Sequence, residues 1–191
     1  MIQRDFALLA LRDLVKPRDL VVAVYQSCFD WLALCPRDLN YVSTGAMGQA
    51  SSHALGLAIG SPDRRVIVLD GDGSLLMNLG SLVTIATVRP QHFLHLVFEN
   101  GVYEVNGEHP TPGAGHVDFA AMARAAGYQK AACFSELEAF KAALPELLET
   151  DGPVMAVLKI IPGEAYPRDY AYIHSETTRE KFRAALNRSN G

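Results

Sequence analysis

Asp72 and Asn100 are the residues of this sequence best suited to chemistry. Asp72 stands in Val66-Ile-Val-Leu-Asp-Gly-Asp-Gly-Ser74, and Asn100 stands in Phe98-Glu-Asn-Gly-Val102. Each follows an apolar run that reads as a buried strand, and each precedes a glycine. Two adjacent parallel strands would set the carboxylate and the amide side by side at one edge of a sheet. A carboxylate oxygen, an amide oxygen and neighbouring backbone carbonyls make a hard-oxygen site suited to Mg2+. The apolar residues after Asp72 (Leu75, Leu76, Leu79, Leu82, Val83 and Ala86) recur at helical spacing, so the turn opens a helix and not a hairpin. Backbone amides at such a helix start hold phosphate. Together the two features point to a diphosphate bridged by Mg2+. A calcium loop starting at Asp70 is excluded, because its sixth and twelfth positions are Leu75 and Ser81, where Gly and Glu are needed.

The elements that must position these residues follow from hydrophobic patterning. Short apolar runs alternate with helix-length patterns, the signature of a parallel α/β sheet. Strands are predicted at 20–25, 41–43, 66–69, 93–98, 129–133 and 154–160, and helices at 2–15, 28–34, 48–59, 75–88, 119–126, 136–150 and 176–187. The runs at 66, 93 and 154 are almost continuously apolar, as when helices cover both faces. The expected fold is α/β: a doubly wound, mostly parallel six-stranded sheet with helices on both faces, in a single domain over residues 1–191. Ser135 with Glu138 reads as a capping box. The Gly- and Pro-containing segment 101–116 reads as a loop over the carboxyl ends of the strands, where ligands bind in open α/β sheets. His95, inside a buried strand, reads as a satisfied core residue, and His53, Phe29 and Trp31 read as packing residues.

Composition narrows the function classes. Of 191 residues nearly half are apolar and a fifth charged, with a net charge of -4, which gives no reason to expect nucleic acid or an anionic membrane as partner. No apolar run approaches the ~20 residues of a membrane helix, and charges interrupt the N-terminus where a signal peptide would be apolar. Cys28, Cys35 and Cys133 form no C-x-x-C pair, against a disulfide framework, a zinc site or an iron–sulfur cluster. A reducing, cytoplasmic setting is expected.

Gly71-Asp-Gly-Ser74 followed by Asn100-Gly101 resembles the motif of the thiamine diphosphate-dependent enzymes, GDG and then a pair ending in Asn. The resemblance implies thiamine diphosphate and Mg2+ as cofactors, with the metal held by Asp72, Asn100 and the carbonyl of Val102. Gly45-Ala-Met-Gly48 is similar to the segment in which that family places a bulky apolar residue under the cofactor. Met47 is then the wedge, its amide donating to the pyrimidine, with the Gly45 carbonyl accepting from the 4'-amino group. The implied cofactor-binding residues are Gly45, Ala46, Met47, Gly71, Gly73, Ser74, Asn100, Val102 and Tyr103. Within the family, residues 45–52, 70–77, 82–90, 100–103 and 179–186 resemble the diphosphate-binding (β) chain of sulfopyruvate decarboxylase and, equally, the matching half of phosphonopyruvate decarboxylase. This resemblance implies a lyase: a 2-oxo acid decarboxylase subunit acting on a small 2-oxo acid. It also implies an oligomer, in which a separate pyrimidine-binding α chain supplies the catalytic Glu.

Some positions depart from the family pattern. Its loop after the metal Asn commonly reads N-G-x-x-x-x-T-G-G-Q-x-T, whereas this chain carries Asn106, Glu108 and His109 for the Thr, a Gly and the Gln; Glu99 stands where Asn or Asp is usual. Glu104 and Glu108 would repel a sulfonate or phosphonate unless the partner supplies Arg or Lys. His109 is the candidate catalytic proton shuttle, with His116 beside it, and solvent-exposed loop histidines are the alternative. Two other functions remain open: a cofactor-binding paralogue without turnover, and the β chain of a 2-oxoacid oxidoreductase, which the scattered cysteines disfavour.

Overall fold

A computed structural model describes residues 1–42, 47–164 and 166–188. The first half of the chain runs β1 (Ile2–Gln3), α1 (Arg4–Arg12), β2 (Leu20–Ala23), α2 (Tyr25–Leu34), β3 (Asn40–Val42), α3 (Ala50–Gly60), β4 (Val66–Gly71), α4 (Asp72–Leu76), α5 (Gly80–Val88) and β5 (Phe93–Glu99). It continues through β6 (Val102–Tyr103), a 3-10 turn (Glu104–Asn106), β7 (His109–Pro110), α6 (Phe119–Ala126), β8 (Lys130–Phe134), α7 (Leu137–Glu149), β9 (Pro153–Ile161), α8 (Tyr170–His174) and α9 (Glu176–Arg188).

The main sheet has the order β3-β2-β4-β5-β9, with β8 and β1 both on the outer edge of β9. Every pairing in it is parallel. Alternation along the strands divides the core in two. Val22, Val66, Val68, Phe93, Val97, Met155 and Val157 face α3, α5, α6 and α9. Val21, Ile67, Leu69, Leu94, Leu96, Val154, Ala156 and Leu158 face α1, α2 and α7. Helices thus cover both faces, which is why the central strands are apolar at nearly every position.

The doubly wound parallel fold is as expected, with local corrections. Among the described residues the sheet has seven strands, not six, because Ile2 and Gln3 pair with Ile160 and Ile161 instead of opening the helix predicted from residue 2. The predicted helix 75–88 is two helices. Asn78 turns its side chain out of the helix to donate to the Gly48 carbonyl (2.9 Å), and Gly80, a weak helix former, starts the next segment. β2 stops at Ala23, and α2 begins at Tyr25, three residues before the predicted 28. The capping box does not form: the residue before α7 is Glu136, in extended conformation and without a side-chain cap. The segment 101–116 contains a small antiparallel hairpin, β6 with β7.

His95 is a satisfied core residue, as expected. Its Nε2 lies 3.2 Å from Asp70 Oδ2 and its Nδ1 3.3 Å from the Tyr128 hydroxyl, all three buried. Trp31 and Phe29 are likewise core residues, and the Trp31 indole N–H donates to Asn40 Oδ1 (2.9 Å). His53 stacks edge-on against Tyr41.

Candidate functional site

After β2 the chain moves outward to β3, then returns to place β4 on the other side of β2. In open α/β sheets the crevice beyond the strand tips at such a reversal is where ligands sit. Here that crevice is a cleft lined by Val24, Tyr25, Gln26 and Ser27 after β2, Gly71–Ser74 after β4, and Phe98, Asn100 and residues 102–106 after β5. β4 and β5 run in register up to Gly71 beside Phe98, so Asp72 and Asn100 emerge together at the strand tips.

Asp72 is the first residue of α4 and only 3% exposed. Its Oδ1 accepts from the Gly73 amide (2.9 Å) and its Oδ2 from the Gly101 amide (2.8 Å). It takes part in no ion pair among the described residues. Burial pushes its carboxyl above the usual range, the two amides pull back, and nearby Glu99 pushes it up again. Asn100 lines the same cleft: Oδ1 accepts from the Val102 amide (3.0 Å) and Nδ2 donates to Glu104 Oε2 (3.0 Å). Among the described residues the buried Asp72 carboxylate has no Lys or Arg partner, and it lines one cleft with the Asn100 amide oxygen; hard-oxygen groups of this kind fit a hard divalent cation. Glu99 is ion-paired with Lys159.

Of the two glycines flanking Asp72, Gly73 has a steric reason, whereas a Cβ on Gly71 would meet open space. A Cβ on Gly73 would come within 2.6 Å of the Tyr103 ring and 3.2 Å of the Thr111 methyl, so the turn tolerates only hydrogen there. Ser74 accepts from the Gly48 amide (3.0 Å) through its hydroxyl, and Asn78 holds the Gly48 carbonyl. Gly48 has φ +80, and these two contacts pin it to α4, with Met47 reaching the cleft beside it. The expected residues Met47, Gly71, Asp72, Gly73, Ser74, Asn100, Val102 and Tyr103 therefore line one cleft. Gly45 and Ala46 lie outside the described residues. His109 is exposed on β7 and is not among the residues lining the cleft.

Sequence reasoning missed the β2 side of the cleft. Tyr25 has φ +50, a strained conformation for a side-chain-bearing residue that persists where surroundings enforce it. Only the abrupt change from apolar strand to helix near residue 25 could have signalled it. It also missed Arg4, brought from the N-terminus to the cleft wall and buried there. Arg4 grips Glu104 through two hydrogen bonds (2.6 and 2.9 Å) and Asp30 through a third (2.6 Å). The negative charge expected from Glu104 at the cleft mouth is thus matched by a guanidinium.

Fold and cleft define an α/β domain with a polar, oxygen-rich site at its topological reversal. The model for the "Thiamine pyrophosphate enzyme, C-terminal TPP binding domain" family matches residues 26–158, and the chain belongs to that family. Phosphonopyruvate decarboxylase from Streptomyces viridochromogenes is 40% identical over 149 residues, 77% of this chain and 37% of the relative. The β subunit of sulfopyruvate decarboxylase from Methanothermobacter thermautotrophicus is 40% identical over 126 residues, 66% of this chain and 64% of the relative. The chain therefore spans little more than a third of the first relative and just under two thirds of the second. Benzoylformate decarboxylase from Polynucleobacter necessarius shares the fold, with a TM-score of 0.69 at 22% identity over 87% of this chain and 34% of that one. No helix among the described residues is long and apolar enough to cross a membrane.

Proposed function

We propose that this chain is the β subunit of a thiamine diphosphate- and Mg2+-dependent 2-oxo acid decarboxylase, binding the cofactor diphosphate through Mg2+. The observation that carries the reading is the meeting at the sheet's reversal point of Asn100 with buried Asp72, which has no Lys or Arg partner among the described residues. Asp72, Asn100 and the Val102 carbonyl would hold the metal, and Gly71, Gly73, Ser74 and Tyr103 would line the diphosphate end. Met47 would support the cofactor from below. When bound, thiamine diphosphate supplies an electron sink for cleavage next to a 2-oxo carbon. What this chain contributes is grip and placement: it fixes the diphosphate end and keeps the cleft floor rigid.

The remaining half of the site would come from a separate pyrimidine-binding α chain that brings the catalytic Glu. Its landing surface is uncharged. Residues 41–62 and 73–88 contain no Asp, Glu, Lys or Arg. From the cleft edge outward they expose Met77 (60%) and Val83 (59%), and a Cβ on Gly56 or Gly80 would meet open space. Such an apolar, glycine-bearing face suits close packing against another protein. Phosphonopyruvate and sulfopyruvate, from the names of the relatives, are the first substrates to try.

The test is reconstitution with a candidate pyrimidine-binding chain, thiamine diphosphate and MgCl2, with CO2 release followed for a panel of 2-oxo acids. Turnover should need both chains and both cofactors. Cofactor binding without CO2 release from any 2-oxo acid would replace this reading by the paralogue without turnover. Full activity of the chain alone would remove the partner.

A further inference from the structure

A line of hydrogen bonds runs along the cleft wall from the start of α1 to Asn100. Gln26 Nε2 donates to Asp30 Oδ1 (2.7 Å), and Arg4 Nε donates to Asp30 Oδ2 (2.6 Å). The Arg4 fork then closes on Glu104, Nη1 on Oε2 at 2.6 Å and Nη2 on Oε1 at 2.9 Å. Glu104 Oε2 in turn accepts from Asn100 Nδ2 at 3.0 Å. Arg4 and Asp30 are buried, and Glu104 has only a seventh of its side chain in contact with solvent.

An asparagine amide has an oxygen end that can bind a metal and a nitrogen end that cannot, and it can turn over. An ionised carboxylate only accepts, so it selects the nitrogen end. Planar guanidinium–carboxylate pairing fixes the acceptor's own orientation. With Nδ2 committed to Glu104, Oδ1 points the other way, and its second lone pair stays available beside the Val102 amide.

We propose that Glu104 is a positioning residue for the metal site: it orients Asn100 so that Oδ1 faces the ion, and Arg4 locks Glu104 in place. This rests on the reading of Asn100 as a metal ligand. It assigns a role to a residue four positions beyond the motif and to one at the far N-terminus.

The experiment uses the full chain assembled with its partner, at fixed thiamine diphosphate and varied MgCl2. Cofactor binding is read by calorimetry across the MgCl2 series. Outer partners of metal ligands typically contribute 10–100-fold to metal affinity. Glu104→Met, which keeps the bulk and loses the acceptor, should raise half-saturating Mg2+ by about tenfold or more. At saturating MgCl2 its thiamine diphosphate affinity should return to within about twofold of wild type, because only orientation of a ligand is lost. Glu104→Gln keeps an acceptor for Asn100 and should shift the midpoint by no more than about threefold. If Glu104→Met leaves the Arg4 guanidinium too poorly paired to fold, Arg4→Met/Glu104→Met removes that burden and should show the same rise. An unmoved midpoint for Met, or equal shifts for Met and Gln, overturns the proposal. If the wild-type complex binds thiamine diphosphate with no dependence on Mg2+, the metal reading itself fails, a different result from an unmoved variant.

Discussion

The two ends of the sheet bury carboxylates in opposite ways. At the amino ends of the strands, Asp19 (4% exposed) is gripped by Arg65, whose guanidinium also donates to the Leu14 carbonyl (3.1 Å) and to Glu149 (3.2 Å). The Lys16 amide adds a further bond to Asp19 (2.7 Å). At the carboxyl ends Asp72 is equally buried but, among the described residues, accepts from two peptide amides and pairs with no cation. The first arrangement is complete in itself and ties the entries of β2 and β4 to α1 and α7. The second is incomplete without a cation, and buried charge left open in a cleft marks a functional site more often than a structural one. Equal burial thus says little; the identity of the partner separates structure from function.

Substitution at each end should give opposite phenotypes. Asp72→Ala should weaken Mg2+-dependent thiamine diphosphate binding more than about 100-fold, since even outer partners of a metal contribute 10–100-fold. The cofactor-free chain should melt within a few degrees of wild type, because the variant removes a buried charge along with two hydrogen bonds. Calorimetry and thermal melts measure the two effects, and unchanged cofactor affinity would end the metal assignment. Asp19→Ala leaves Arg65 buried without its main partner, a loss of about 3–5 kcal/mol. At roughly 2–4 °C per kcal/mol for a domain of this size, Tm should fall by roughly 6–20 °C. Its folded fraction should bind cofactor as wild type does. A wild-type melt for Asp19→Ala would remove the distinction between the two ends.

How much of this was legible beforehand follows the same division. The tips of β4 and β5 were readable because strand, glycine and polar residue are contiguous in sequence, so a local pattern carries the geometry. The helix break between α4 and α5 was not, since it depends on Asn78 reaching Gly48 across thirty positions. Arg4 was invisible for the same reason: its partner Glu104 lies a hundred residues away, and each residue alone reads as an ordinary surface charge. The seventh strand escaped because two residues, Ile2 and Gln3, carry no periodicity to detect. Tyr25 lay in plain sight at a strand end, but a positive φ on a tyrosine has no sequence signature.

The smallest expected effect concerns pH, and its sign is fixed by the direction of the shift at Asp72. Burial raises the folded-state pKa of Asp72 above its unfolded value, near 3.9 for an aspartate. The folded chain then binds this proton more tightly than the unfolded chain, so the charged form lowers stability. That penalty is complete above the folded-state pKa and disappears as pH falls to the unfolded value. Asp72→Asn abolishes the titration. The melting temperature of the cofactor-free wild type, minus that of the variant, should therefore be more negative at pH 7.5 than at pH 4. Adding MgCl2 and thiamine diphosphate should invert the trend for wild type alone, because a bound cation favours the ionised carboxylate and its stabilisation grows as the proton leaves. A difference that stays flat across this range without cofactor would mean that the two amides already satisfy the charge. Asp72 would then belong with Asp19 among the structural carboxylates.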